Sequence, residues 1–132
     1  MVLKITLPYA ALLGLMLVYF SYKVVRFRGN FKVGIGDGGN AKLARAIRVQ
    51  ANFVEYVPIA LLLILLVELI GFSAWVVHAL GIVLLAGRVF HAQGLGASAG
   101  PSYGRAIGTT ASWLTIAVAA ILCLLAFSGV IF

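Results

Sequence analysis

Hydrophobic positions dominate four long segments of this chain, residues 5–25, 53–70, 74–89 and 107–132, and polar positions collect between them. None of the four alternates apolar and polar residues as a membrane barrel strand does. A helix needs about 20 mostly apolar residues to cross a bilayer, and four such helices use up nearly the whole sequence. The pattern predicts helices at about 5–27, 41–70, 74–95 and 104–131 within one domain, 1–132. The expected fold is an all-α, integral membrane four-helix bundle. Asn40 is a candidate N-cap for the second helix, which from Ala41 to Ile70 spans about 45 Å at 1.5 Å per residue. That exceeds a hydrocarbon layer of about 30 Å, so the first half of this helix is expected to be amphipathic.

Composition agrees with that solvent. The chain is 64% hydrophobic and 10% charged, against about 45–50% and 25% in a soluble domain. Lys4 before an apolar run could suggest a signal peptide, but the run exceeds the roughly 7–15 residues of a signal core. It closes on the flank Tyr22-Lys23-Val24-Val25-Arg26, so the segment is expected to be a retained first helix.

The net charge of +7 is unevenly placed. Lys23, near the end of the first apolar segment, and Arg26, Arg28, Lys32, Lys42, Arg45 and Arg48, which precede the second, are opposed there only by Asp37. The connection around Gly71-Phe72-Ser73 is uncharged, and the third connection carries Arg88 and Arg105 at its ends. The positive-inside rule then predicts cytoplasmic basic loops with both termini outside. The basic patch could also attract anionic lipid headgroups. Nucleic acid is not an expected partner, because nearly all remaining residues would lie in lipid.

Several features carry little chemistry. Cys123 is the only cysteine, and a lone thiol in an apolar segment is expected to be an inert small hydrophobe. The glycine-rich stretch 29–40 lacks the spacing of a phosphate-binding loop, and is expected only to turn the chain back to the membrane. No second histidine or acid lies at metal spacing from His91, so no metal is expected. Glu68 and His78 flank the short uncharged loop and are expected to snorkel to that surface, with Phe72 and Trp75 as an aromatic belt.

The polar residues that precede the second apolar run are more informative. Arg48, Asn52, Glu55 and Tyr56 recur at i, i+4, i+7 and i+8 and share one helical stripe. Arg48 and Glu55 are separated by about 10.5 Å along the axis, beyond the spacing of good helical ion pairs. Their partners are therefore expected to be water, other helices, another subunit or a ligand. Spacing leaves two readings open: a structural polar cluster that pins helices, or a ligand site. The basic excess around the stripe favours an anionic ligand. Arg88 and His91 share a face of the third helix. Pro101 is expected to end that helix or start the next, leaving Arg105 near a helix N-terminus, where the dipole also favours an anion.

The run Arg48-x-Gln50-x-Asn52-x-x-Glu55-Tyr56-x-Pro58, with Arg26 and Arg28 upstream and Arg88, His91 and Arg105 downstream, resembles the membrane-associated proteins in eicosanoid and glutathione metabolism, the MAPEG family. The likeness covers nearly the whole chain and is nearest the small bacterial branch. It implies a homotrimer in a bacterial inner membrane, with glutathione held between subunits near the cytoplasmic face. Arg48, Asn52, Glu55 and Tyr56 would contact glutathione with Gln50 close by. Arg26, Arg88 and His91 would hold carboxylates or line the pocket, and Arg105 would stabilise the thiolate. The implied activity is that of a detoxifying transferase or peroxidase, passing the thiolate to lipophilic electrophiles or reducing lipid hydroperoxides. This chain has Leu95 where eicosanoid-specialised members carry tyrosine, and Ala106, Ile107 and Gly108 after Arg105 supply no hydroxyl. A leukotriene or prostaglandin synthase is therefore not expected. The alternative is a non-catalytic protein of the same fold whose polar stripe stabilises the trimer. A small multidrug exporter would carry its glutamate in the first helix, which here contains no acid.

Overall fold

Four helices account for most of the described residues: α1 (Thr6–Phe31), α2 (Ala41–Ile70), α3 (Ala74–Ala97) and α4 (Tyr103–Phe127). The computed structural model describes residues 4–97 and 100–131. Residues 98–99, between α3 and α4, lie outside the described residues, as do 1–3 and 132. All four helices are long and apolar enough to cross a membrane.

Local chemistry explains where each helix starts and stops. The Asn40 side chain accepts from the Lys42 and Leu43 amides at the start of α2, satisfying donors that the first turn otherwise leaves unpaired. Ser102 accepts from the Arg105 amide in the same way at α4. α1 continues one turn past the expected end near residue 27, so Arg28 stands on the helix with Arg26 rather than in the loop. Lys32 in the left-handed region closes it, returning its amide to Arg28 O and Gly29 O. α4 stops at Phe127, a turn short of the expected 131, where Ser128 caps it.

α2 and α3 form the middle of the bundle. α2 packs on all three other helices, α3 likewise, while α1 and α4 do not meet among the described residues. The buried positions of α2, Val49, Phe53, Val57, Ala60, Ile64 and Val67, recur every three or four residues, the spacing of a left-handed helix seam. They close the core against Leu13 and Phe20 of α1, Val77, Leu80 and Leu84 of α3, and Ala119 of α4. Large apolar side chains such as Leu15, Val18, Leu62, Ile82 and Leu124 point outward, which fits a bundle whose solvent is hydrocarbon.

Two acidic or basic groups at the far end are internal ties, contrary to the expectation that they snorkel. Glu68 Oε1 accepts from the Lys4 and Ile5 amides at 2.9 Å each, and Oε2 from the Thr6 amide at 2.7 Å. The carboxylate thus caps the start of α1 from α2, where three unpaired N–H groups and the dipole favour negative charge. His78 Nδ1 shares a 2.8 Å hydrogen bond with the Tyr9 hydroxyl, joining α3 to α1. In a low-dielectric layer these groups are satisfied by neighbouring helices sooner than by reaching for water.

Candidate functional site

At the basic end of the bundle, α2, α3 and α4 surround a cavity of about 720 Å³. α2 contributes Arg48 and Asn52, one turn apart; α3 contributes His91 and Leu95, again one turn apart; α4 contributes Arg105, Thr109 and Trp113 at intervals of four. Helical period alone brings each set to one wall. Ser102, which caps α4, completes the rim. Arg48 and Trp113 remain exposed there.

The floor is held by Arg88. Its side chain is almost completely buried, with Nη1 donating to Asn52 Oδ1 at 2.8 Å and Nη2 to the Gly108 carbonyl at 2.7 Å. One guanidinium therefore ties α2, α3 and α4 at a single level. The Tyr56 ring lies 6.0 Å from it, at the outer limit of a cation–π contact. The α3–α4 approach needed for this tie depends on Gly108. A Cβ there would collide with His91 Cβ and the Gly87 carbonyl, so only glycine lets the two backbones come this close.

The stripe on α2 is partly self-satisfied, against expectation. Arg48 Nη1 donates to Glu55 Oε1 at 3.5 Å. Side chains lean towards the helix N-terminus, so Glu55 tilts back, and the long arginine stem bridges two turns. Both side chains are about half exposed or more, and such a long, solvated pair contributes at most about 1 kcal/mol. A ligand carboxylate could displace it at little cost.

Of the residues singled out by sequence, the cavity gathers Arg48, Asn52, His91 and Arg105. Glu55 and Tyr56 adjoin it through Arg48 and Arg88. Arg88 lies beneath it as a tie. Gln50 faces away, Nε2 donating to Ser21 Oγ of α1 at 2.8 Å, and Arg26 is exposed on α1 outside the lining. Arg105 Nη1 donates to the Gly100 carbonyl at 3.0 Å, which steadies the guanidinium at the start of α4. The hydroxyls thought missing after Arg105 are present one turn later: Thr109 and Thr110 both line the cavity. Counting forward by four from Arg105, instead of reading the adjacent residues, finds Thr109 and Trp113.

Four apolar spanning helices with a polar cavity cut into one end define a multi-pass integral membrane protein. A profile of the MAPEG family matches residues 6–125, and the chain belongs to that family. Among similar proteins are the inner membrane proteins YecN of two strains of Escherichia coli, each 51% identical over 86 residues. The match covers 65% of this chain and 66% of each relative, so it spans slightly less than two thirds of their length.

Proposed function

We propose that this protein is a homotrimeric, glutathione-dependent enzyme of a bacterial inner membrane, acting on lipophilic electrophiles or lipid hydroperoxides. The observation that carries this reading is the pair of guanidinium-bearing residues, Arg48 and Arg105, set on different helices around one cavity. Its size falls within the roughly 300–1,000 Å³ of small-molecule sites. The donor set fits glutathione: arginines for carboxylates, Glu55 beside Arg48 for an ammonium, and hydroxyls at Ser102 and Thr109. The exposed rim formed by Arg48 and Trp113 favours completion by a second subunit, which could also bring Arg26 to the site. The basic loops are assigned to the cytoplasm, with both termini outside; the relatives named as inner membrane proteins support the location.

Glutathione, when bound, supplies a thiol whose ionised form is the nucleophile. Arg105 holds negative charge at the sulfur. Arg48 and Asn52 orient the peptide, and the bilayer boundary lets a water-soluble cofactor meet an apolar partner. Lowering a thiol pKa by about two units requires roughly 2.7 kcal/mol of differential stabilisation, within reach of a guanidinium in a partly desolvated site.

A second reading draws on the Arg88–Asn52–Gly108 tie, which spends part of the polar set on helix packing. In that reading the site is structural and the protein is not an enzyme. Conjugation of glutathione to a chlorodinitrobenzene by the purified protein separates the two. The enzyme reading expects turnover, with Arg48→Ala raising KM for glutathione at least about tenfold, the size of one lost charge-assisted hydrogen bond. No turnover and no effect of glutathione on thermal stability, with Arg48→Ala or Glu55→Ala dissociating the oligomer, would favour the structural reading.

A further inference from the structure

On the other side of α3 from this site, a second concavity runs between α1, α2 and α3. Its inner part, about 300 Å³, is lined by Lys23, Lys42 and Arg45 over Phe20 and Phe27. Its outer part, about 590 Å³, is lined by Leu12, Leu15, Met16 and Tyr19. The two share Phe20, Lys23, Ala92 and Gly96, and so form one groove with an apolar stretch and a cationic head. None of these residues lines the cavity of Arg48 and Arg105.

We infer that this groove holds one anionic phospholipid, its phosphate among Lys23, Lys42 and Arg45 and one acyl chain along α1. The charge is uncompensated from within the chain. The three carboxylate side chains are Asp37, Glu55 and Glu68; Asp37 closes a turn onto the Gly39 amide, Glu55 pairs with Arg48, and Glu68 caps α1. Arg45 lines the groove beside Lys23 and Lys42, and none of the three carboxylates pairs with it. The dimensions select a lipid over a soluble anion. From Leu12 to Lys23 is about 16 Å along α1 at 1.5 Å per residue, close to the depth of one leaflet, half of a hydrocarbon layer of about 30 Å. Leu12, Leu15 and Tyr19 are exposed, so the apolar stretch opens where acyl chains are the solvent. Small residues at Ala92 and Gly96, one turn apart on α3, leave the room: a Cβ at Gly96 would meet nothing within 4 Å.

The test is lipid binding by native mass spectrometry of the detergent-purified full-length protein, titrated with dioleoylphosphatidylglycerol, dioleoylphosphatidylcholine or inorganic phosphate. Phosphatidylglycerol should be retained in preference to phosphatidylcholine, and phosphate alone should not bind. Each cation near a lipid headgroup is worth about fivefold in affinity, so Lys23→Gln with Arg45→Gln should weaken phosphatidylglycerol binding roughly 25-fold. Gly96→Trp, whose side chain enters the groove, should abolish binding while the charges stay. Equal retention of both lipids, unchanged binding in either variant, or phosphate binding as tightly as the lipid would each overturn the inference. Circular dichroism on each variant verifies that the helices remain folded.

Discussion

Arg88→Ala should lower the stability of the bundle by about 3–5 kcal/mol, the range of a large side chain deleted from a core plus its hydrogen bonds. Arg88 is almost fully buried and bonds to Asn52 of α2 and the Gly108 carbonyl of α4. Hydrogen bonds between membrane helices average only about 0.6 kcal/mol and reach about 1.7, so packing supplies most of the loss. Arg88→Met divides the two contributions. It keeps most of the volume and removes the donors, so it should cost about 1–3 kcal/mol. The Gly108 carbonyl retains Ser112 Oγ at 3.0 Å, leaving Asn52 Oδ1 as the acceptor that loses its partner. Unfolding by denaturant in mixed micelles reads both values. A methionine variant as unstable as the alanine variant would show that hydrogen bonding, not packing, holds the three helices together.

Arg105→Ala should move the pH profile of conjugation upward by about two units. With the guanidinium present, thiol ionisation would fall from about 8.5 to about 6.5, so activity persists at neutral pH and is lost as pH drops through the lower value. Without it, the rising limb returns to about 8.5, and the two proteins converge in alkali. A less basic thiolate is also a weaker nucleophile, which offsets part of the rate change at any single pH. The midpoint of the profile is therefore the quantity to measure. An unshifted midpoint would remove Arg105 from thiolate stabilisation and return its side chain to fastening the start of α4, through the bond to the Gly100 carbonyl.

The four spans were legible because hydrocarbon imposes a long apolar run on any helix that crosses it. The start of α2 was legible for a local reason: Asn40 sits where an asparagine can cap two amides. The site was legible only as separate stripes. Helical period placed Arg48 beside Asn52, and Arg88 beside His91, but could not say which of these side chains would reach the cavity. Arg88 turned inward because Gly108 removes the obstacle to α3–α4 contact, a three-dimensional fact spread over residues twenty apart. Gln50 turned to Ser21 for a similar reason, since its partner lies on another helix. Glu68 escaped recognition as a cap because its amides belong to α1, more than sixty residues away in sequence. The Arg48–Glu55 pair was missed by treating helix rise as the whole distance, when side-chain tilt and the length of arginine close most of it.

Calorimetric titration of the purified wild-type protein with glutathione tests the central claim most directly. Saturable binding is expected, weakened at least about tenfold in Arg48→Ala and in Arg105→Ala, as the loss of a charge-assisted hydrogen bond requires. No saturable binding to the wild type, or wild-type affinity in both variants, would contradict it.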